Sequence, residues 1–127
     1  MAMERNYNVA ADFIRAAARQ GAELAVLPEY HLLNWIPDDP KFKDACRHWK
    51  TYLDKYRALA QECNINIIPG TIVELHDRGT ESERLENVAY FIDNHGEIAG
   101  KYVKKNLWVR LCRNMQALPQ ACCYLKS

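Results

Sequence analysis

The chain has 127 residues, and its 17 lysines and arginines nearly balance its 16 aspartates and glutamates, which leaves a formal net charge of +1. A charge this close to zero argues against nucleic acid or an anionic membrane surface as a partner. The length allows one domain with a real core. No apolar run approaches the roughly 18 residues of a membrane span, and the first residues lack a secretory signal. We therefore expect a cytoplasmic protein.

The first part of the chain predicts a helix, a short strand and a second, longer helix. Apolar residues recur at helical spacing from Val9 to Ala18, and Gly21 supplies the helix stop. Leu24-Ala25-Val26-Leu27 is apolar on both faces, as expected of a strand that is covered on both sides. Asn34–Pro40 has the composition of a loop. A spacing of three and four between apolar residues then predicts one helix from Phe42 to Cys63.

The next part predicts strands. Ile65–Leu75 is a strand pattern with a kink at Pro69-Gly70, and the polar stretch His76–Arg84 is typical of an exposed connection. Two apolar runs within Asn87–Val103 flank Asn94-His95-Gly96, which is a hairpin signal with an exposed histidine. The order helix, strand, helix, strand, strand, strand combines one parallel crossover with antiparallel hairpins, which indicates a layered α/β arrangement.

The five cysteines are an odd number, which favours reduced thiols over a disulfide framework. Cys46 and Cys63 fall on the apolar side of a helical pattern, so we expect both to be small core residues. Cys112, Cys122 and Cys123 lack the paired spacing of a zinc site. We predict neither a metal nor another cofactor.

Charged residues follow the first and last predicted strands. Glu29 comes directly after the first strand, and open α/β sheets place their chemistry outside the carboxyl ends of their strands. Lys104 and Lys105 follow the last strand. A carboxylate and an ammonium group that converged at this edge would form half of an active site. A solvated strand end for Glu29 and an ordinary surface lysine remain the alternatives.

Three residues near Glu29 are candidates for the wall of a pocket. Tyr30 and His31 follow Glu29 directly, and Trp35 lies in the loop that comes next. Aromatic side chains beside a strand end also pack in cores, and a histidine in a loop is often plain surface. Both interpretations stay open for all three residues.

The residues from about Asn6 to Trp108 resemble the nitrilase superfamily, the carbon–nitrogen hydrolases. Gly21-Ala22-Glu23-Leu24-Ala25-Val26-Leu27-Pro28-Glu29 is similar to the segment that carries the family's catalytic glutamate, which maps to Glu29. Gly100-Lys101-Tyr102-Val103-Lys104-Lys105-Asn106-Leu107 is similar to the family's Tyr-Arg-Lys-x-His-Leu region. The catalytic lysine of that region maps to Lys104, with Lys105 as the fallback. The resemblance implies part of a layered sandwich, a mixed sheet with helices packed on one face.

The resemblance also implies a reaction. In this family a cysteine thiolate attacks the carbon of a small-molecule nitrile or amide, and a thioester forms and is hydrolysed. Glu29 would act as the general base, and Lys104 would stabilise the negative charge of the intermediate. The family further implies that the protein forms a homo-oligomer.

The nucleophile departs from the family pattern. The family places it in a Cys-Trp-[Glu/Asp] segment some tens of residues beyond the lysine, and the sequence contains no Cys-Trp pair. Cys112 follows Lys104 by only eight residues, whereas Cys122 and Cys123 lie nearer the expected interval but lack the flanking residues. The alternative function is therefore a catalytically inactive, truncated fragment that at most associates with other subunits.

The pattern of the chain changes after Trp108, where helical period, strand alternation and caps are all missing. We predict a partial hydrolase domain over residues 1–108 and a divergent tail over residues 109–127 that does not belong to the fold. An ordinary C-terminus is an equally good interpretation of the same residues.

Overall fold

The computed structural model of the protein describes residues 2–105. The elements, in chain order, are α1 (Ala2–Arg19), β1 (Leu24–Val26), α2 (Pro40–Cys46), α3 (Trp49–Cys63), β2 (Asn66–Ile68), β3 (Ile72–His76), β4 (Arg84–Ile92) and β5 (Ile98–Val103). None of the helices in this part of the chain is long and apolar enough to cross a membrane. The predicted tail over 109–127 lies outside the described residues, and so do Cys112, Cys122 and Cys123.

The strands form one mixed sheet. β1 and β2 pair in parallel, whereas β4 pairs with its neighbours in antiparallel fashion. Val88 of β4 pairs with Ile72 on one side and with Val103 on the other, and Ile92 pairs with Ile67 of β2. β2 and β3 therefore lie along the same edge of β4 as one strand with a kink, as the sequence predicted. The mixed sheet with its helices confirms the predicted α/β class.

Helices α1 and α3 cover one face of the sheet. The buried side of α1 consists of Met3, Tyr7, Ala10, Ala11 and Ile14. These residues join buried side chains of α3 and of the strands in the main core, among them Tyr52, Tyr56, Leu59, Ile67, Ile72, Val88 and Ile92.

The apolar face predicted for α1 is wrong in part, because Val9 and Phe13 are 53% and 70% exposed. They precede the buried Ala10 and Ile14 by one position each, which is a rotation of about 100° around the helix axis. The stripe that contacts the sheet is therefore narrower than the apolar pattern in the sequence.

The single helix predicted from Phe42 to Cys63 is two helices in the structure. α2 begins with Pro40, and the Asp39 side chain caps it by accepting a hydrogen bond from the Lys41 backbone N–H (2.9 Å). α2 and α3 serve opposite faces of the sheet, which one continuous helix could not do. Phe42 and Cys46 of α2 form a second buried cluster with Val73 and Leu75 of β3.

The face of the sheet opposite α1 and α3 is covered only in part by the described residues. Ala25 of β1 pairs with the buried Ile67, so Leu24 and Val26 point the other way. Leu24, Val26, Phe91 and Tyr102 are 45%, 62%, 36% and 60% exposed. Within residues 2–105, the prediction that β1 is covered on both sides is therefore wrong. We call these four side chains the open face.

Candidate active site

The side chains of Glu29 and Lys104 meet at the end of the sheet. Lys104 Nζ donates a hydrogen bond to Glu29 Oε2 at 2.6 Å, although the two residues are 75 positions apart in the chain. The side chain of Glu29 is 45% exposed and that of Lys104 is 21% exposed, so the carboxylate faces solvent while the lysine is the more sheltered of the two. Lys105, the fallback, is exposed. The structure thus brings the two candidates together, and their catalytic roles stay predictions.

The kink between β2 and β3 positions the loop that carries Glu29. Gly70 has a φ of +67°, and a Cβ built on it would lie 2.6 Å from the carbonyl carbon of Pro28. Tyr30, the residue after Glu29, has a φ of 57°, in the left-handed region that few residues other than glycine adopt. Its backbone N–H donates to Thr71 Oγ1 at 3.3 Å. Contacts on both sides of Glu29 thus tie its loop to the start of β3.

Asn87 connects the glutamate loop to the lysine segment. Its Nδ2 donates to the Tyr30 hydroxyl at 3.0 Å, and its backbone carbonyl accepts from the Lys104 N–H at 2.8 Å. Asn87 is fully buried. The sequence analysis did not single it out, although a lone amide side chain within an apolar strand pattern is a usable signal, because buried polar groups need partners.

Two of the three candidate pocket residues line a cavity of about 520 Å³, namely Tyr30 and His31. Other residues of its wall are Arg5, Asn6, Leu33, Asp39, Lys41 and Phe42. Trp35 instead packs against the rings of Tyr30 and Phe42, with centroids 5.9 Å and 5.6 Å away, and belongs to the periphery of the second buried cluster.

His31 is a neutral residue at neutral pH. Its Nε2 lies 2.6 Å from the hydroxyl oxygen of Tyr56. Burial lowers the pKa of His31 from 6.5 to about 4, and the Pro28 backbone opposes this shift to a smaller extent. His31 can therefore form hydrogen bonds beside Glu29 without adding a charge.

Neither cysteine within residues 2–105 suits the role of nucleophile. Cys46 is fully buried, as the sequence predicted, and burial raises the pKa of its thiol to about 12. Cys63 is partly buried, and its pKa is also raised, mainly by burial. A catalytic cysteine needs the opposite shift, because the thiolate is the reactive form.

A second polar cluster lies on the helix-covered face of the sheet. The carboxylate of Glu74 is fully buried, accepts a hydrogen bond from the Tyr90 hydroxyl and bonds His76 Nε2 at 2.7 Å. The prediction that His76 is exposed is wrong, because β3 continues through His76 and directs it toward Trp49 (ring centroids 5.5 Å apart). One ligand atom from each of Glu74, His76 and Glu86 lies within 4.8 Å of the others. Hydrogen bonds inside the cluster account for its buried carboxylate, so we assign it a structural role.

The family model described as carbon–nitrogen hydrolase matches residues 1–121. Deaminated glutathione amidase from Bos taurus is 30% identical over 106 residues, a match that covers 82% of this chain and 32% of the relative. Deaminated glutathione amidase from Homo sapiens is 28% identical over 109 residues, with the same shares covered. The chain thus spans about a third of the length of the curated relatives that it matches.

Solved structures have the same fold. A carbon–nitrogen hydrolase from Helicobacter pylori G27 superposes with a TM-score of 0.70 at 23% identity, over 81% of this chain and 35% of that one. The C. elegans NitFhit protein gives a TM-score of 0.67 at 26% identity, over 80% and 24%. An amidase from Nesterenkonia sp. gives 0.67 at 21% identity, over 84% and 39%. By the match of its residues 1–121 to the family model, this chain belongs to the carbon–nitrogen hydrolase family.

Proposed function

We propose that Glu29 and Lys104 are the general base and the charge-stabilising group of an amide-hydrolysing site, and that a cysteine beyond residue 105 supplies the nucleophile. The observation that carries this proposal is the 2.6 Å contact between two side chains 75 residues apart, on the two segments that resemble the family's motifs. An amide is favoured over a nitrile because relatives and structural neighbours are named amidases.

The proposed reaction has two halves. The Glu29 carboxylate takes the proton of the thiol as its sulfur attacks the amide carbon, and the carbonyl oxygen becomes an oxyanion beside the Lys104 ammonium. The C–N bond then breaks, and the glutamic acid gives its proton to the departing nitrogen. In the second half Glu29 takes a proton from water, which attacks the thioester carbon. The acid leaves, and the thiol regains its proton.

The surroundings of Glu29 and Lys104 suit the two roles proposed for them. The Lys104 side chain is the less exposed one, and the hydrogen bond from its backbone N–H to Asn87 anchors it to β4. A cation that is already held in place costs little reorganisation when negative charge develops next to it. The more exposed Glu29 is accessible to substrate and water.

The alternative proposal is an inactive fragment. The observations that favour it are the missing Cys-Trp pair and the raised pKa values of Cys46 and Cys63. Glu29 and Lys104 would then still orient a ligand, but no acyl-enzyme would form.

Ammonia release by the 127-residue chain, measured with a panel of amides and nitriles, tests the proposal. Acrylamide labelling followed by mass spectrometry would identify a reactive thiol among Cys112, Cys122 and Cys123. We expect turnover of amides and a label on one of the three. Glu29→Gln and Lys104→Met should each lower kcat/KM by about 100-fold or more.

Glu97→Gln is the matched control, because Glu97 is an exposed carboxylate that pairs with Arg57 beside the β4–β5 turn. This variant should keep full activity. Full activity in Glu29→Gln would overturn the role of the glutamate. A folded chain with neither turnover nor a labelled cysteine would establish the inactive fragment instead.

A further inference from the structure

We propose that Asn87 is a positioning residue of the proposed site, because its side chain holds the glutamate loop against the segment that carries Lys104. This inference rests on the proposed function and adds a residue that is itself fully buried. Three observations carry it: the two contacts of Asn87, the backbone conformation of Tyr30, and the unpaired oxygen of the Asn87 amide.

Asn87 contacts the two sides of the site through different atoms. Its backbone carbonyl accepts the Lys104 N–H at 2.8 Å, which continues the pairing of β4 with β5. Its Nδ2 donates to the Tyr30 hydroxyl at 3.0 Å, and Tyr30 follows Glu29 directly. The backbone contact is available to any residue at this position, whereas the contact to Tyr30 needs a polar side chain. A substitution of Asn87 should therefore act on the Glu29 side of the site.

The backbone of Tyr30 depends on its contacts. Its φ of 57° lies in the left-handed region, and a residue with a side chain persists there only where its surroundings hold it. Two hydrogen bonds hold Tyr30. Its backbone N–H donates to Thr71 Oγ1 at 3.3 Å, and its hydroxyl accepts from Asn87. Loss of the second bond should let the loop relax, and Glu29 would move with it because the two residues are adjacent.

The amide of Asn87 is unfavourable for a residue with a packing role alone. Its Oδ1 is buried and meets no hydrogen-bond donor among residues 2–105, and a buried polar atom without a partner destabilises the folded state. Its neighbours on the same face of the sheet are apolar, namely Val73, which pairs with it on β3, and Leu85, two residues earlier on β4. An apolar side chain would continue this surface without an unpaired oxygen, but it could not bond Tyr30.

Competitive acetylation of lysines by acetic anhydride, followed by mass spectrometry, measures this link without requiring turnover. Lys104 Nζ is sheltered and bound to Glu29, so it should react slowly in the folded 127-residue chain. Asn87→Ala should raise its rate by about threefold or more, because Glu29 then leaves the ammonium group for part of the time. Lys55, which pairs with Glu4 of α1 at 2.7 Å, should keep its rate. General loosening of the fold would raise both rates, whereas a positioning role raises only that of Lys104.

Tyr30→Phe is the second variant, because it removes the hydroxyl and keeps the ring. It should raise the Lys104 rate to a similar extent, and the double variant should add no further increase, since both substitutions break the same bond. Asn94→Ala is the matched control. It removes a surface hydrogen bond from Asn94 Nδ2 to Asn64 Oδ1 (2.9 Å) in the turn between β4 and β5, and should leave the Lys104 rate unchanged.

In an active chain, Asn87→Ala should lower kcat by about tenfold or more and leave KM within about twofold, because a displaced base affects the chemical step rather than binding. An unchanged kcat would overturn the inference. An unchanged Lys104 rate in Tyr30→Phe would also overturn it, and so would an equal rise for Lys104 and Lys55. Failure of the proposed function would show as absent turnover in the unmodified chain with the selective rise for Lys104 intact, whereas failure of this inference would show as the loss of that selective rise.

Discussion

Burial decides the charge state of His31, which lies two residues after Glu29. Its partner Tyr56 is fully buried, and the surroundings lower the pKa of His31 to about 4. In the unfolded chain the same imidazole would titrate near its ordinary value of 6.5. Between these two values the unfolded state binds a proton that the folded state does not.

The free energy of unfolding should therefore fall as the pH is lowered through this window. Stability rises with pH wherever the unfolded state binds more protons, and the shift predicts a loss of about 2 kcal/mol between pH 7 and pH 5. Urea denaturation at pH 7, 6 and 5 would measure this loss. These pH values lie above the range in which most carboxyl groups titrate, so carboxyl groups contribute little to the change. His31→Gln should flatten this dependence, whereas the exposed His95 offers a control, His95→Gln, that should not. An unchanged slope in His31→Gln would contradict the explanation.

At the scale of elements, the junction between β2 and β3 supports the loop before Glu29. Gly70 approaches the backbone of Leu27 and Pro28 so closely that a built Cβ lies 2.8 Å from the Leu27 carbonyl oxygen. Pro69, next to it, is fully buried. The kink therefore does more than redirect a strand, because it leaves room for the chain that leads from β1 to Glu29.

Gly70→Ala should lower the free energy of unfolding by about 3 kcal/mol or more. A left-handed alanine costs about 1 kcal/mol, and the contact with the Pro28 backbone adds the cost of moving it. Gly79→Ala is the matched control, because Gly79 has a φ of +77° and open space around its built Cβ. It should lose only about 1 kcal/mol. Equal losses of unfolding free energy in the two variants, measured by urea denaturation, would show that the close approach of Gly70 to the Pro28 backbone does not affect stability.

At the scale of the whole molecule, the open face is an apolar surface that the described residues leave uncovered. Leu24 and Val26 of β1, Phe91 of β4 and Tyr102 of β5 expose apolar surface on one face of the sheet. Exposed apolar surface on one face of a sheet favours association. The sequence analysis expected a homo-oligomer from the family resemblance, and the open face offers a surface through which two copies of this chain could pair.

We expect the 127-residue chain to self-associate at micromolar concentrations, and Val26→Lys to weaken this association by at least tenfold. A lysine at this position would place a charge within the contact. Val9→Lys is the matched control, because Val9 is also an exposed valine (53%, against 62% for Val26) and lies on α1, away from the open face. Sedimentation velocity over a range of concentrations would measure both variants. Equal weakening by the two substitutions would exclude the open face as the contact.

The sequence by itself determined most of the elements and the residues of the candidate pair. The apolar runs of β3 and β4, the stop at Gly21 and the turn at Asn94-His95-Gly96 are local patterns, and local backbone geometry follows from them. The hairpin between β4 and β5 closes through Gly96, with a φ of +79°. Motif resemblance identified Glu29 and Lys104, although their contact depends on a sheet that no local pattern describes.

Only the tertiary structure decided which surfaces of these elements are covered. Three observations depend on which neighbour packs against each face of an element. They are the break before α3, the exposure of Val9 and Phe13, and the partial burial of His76. Asn87 likewise acquires its role only when β4 lies between the glutamate loop and the lysine segment. Periodicity reports that a residue lies on an apolar side of its own element. Whether that side is buried depends on partners distant in the chain, because burial is a property of packed layers rather than of one segment.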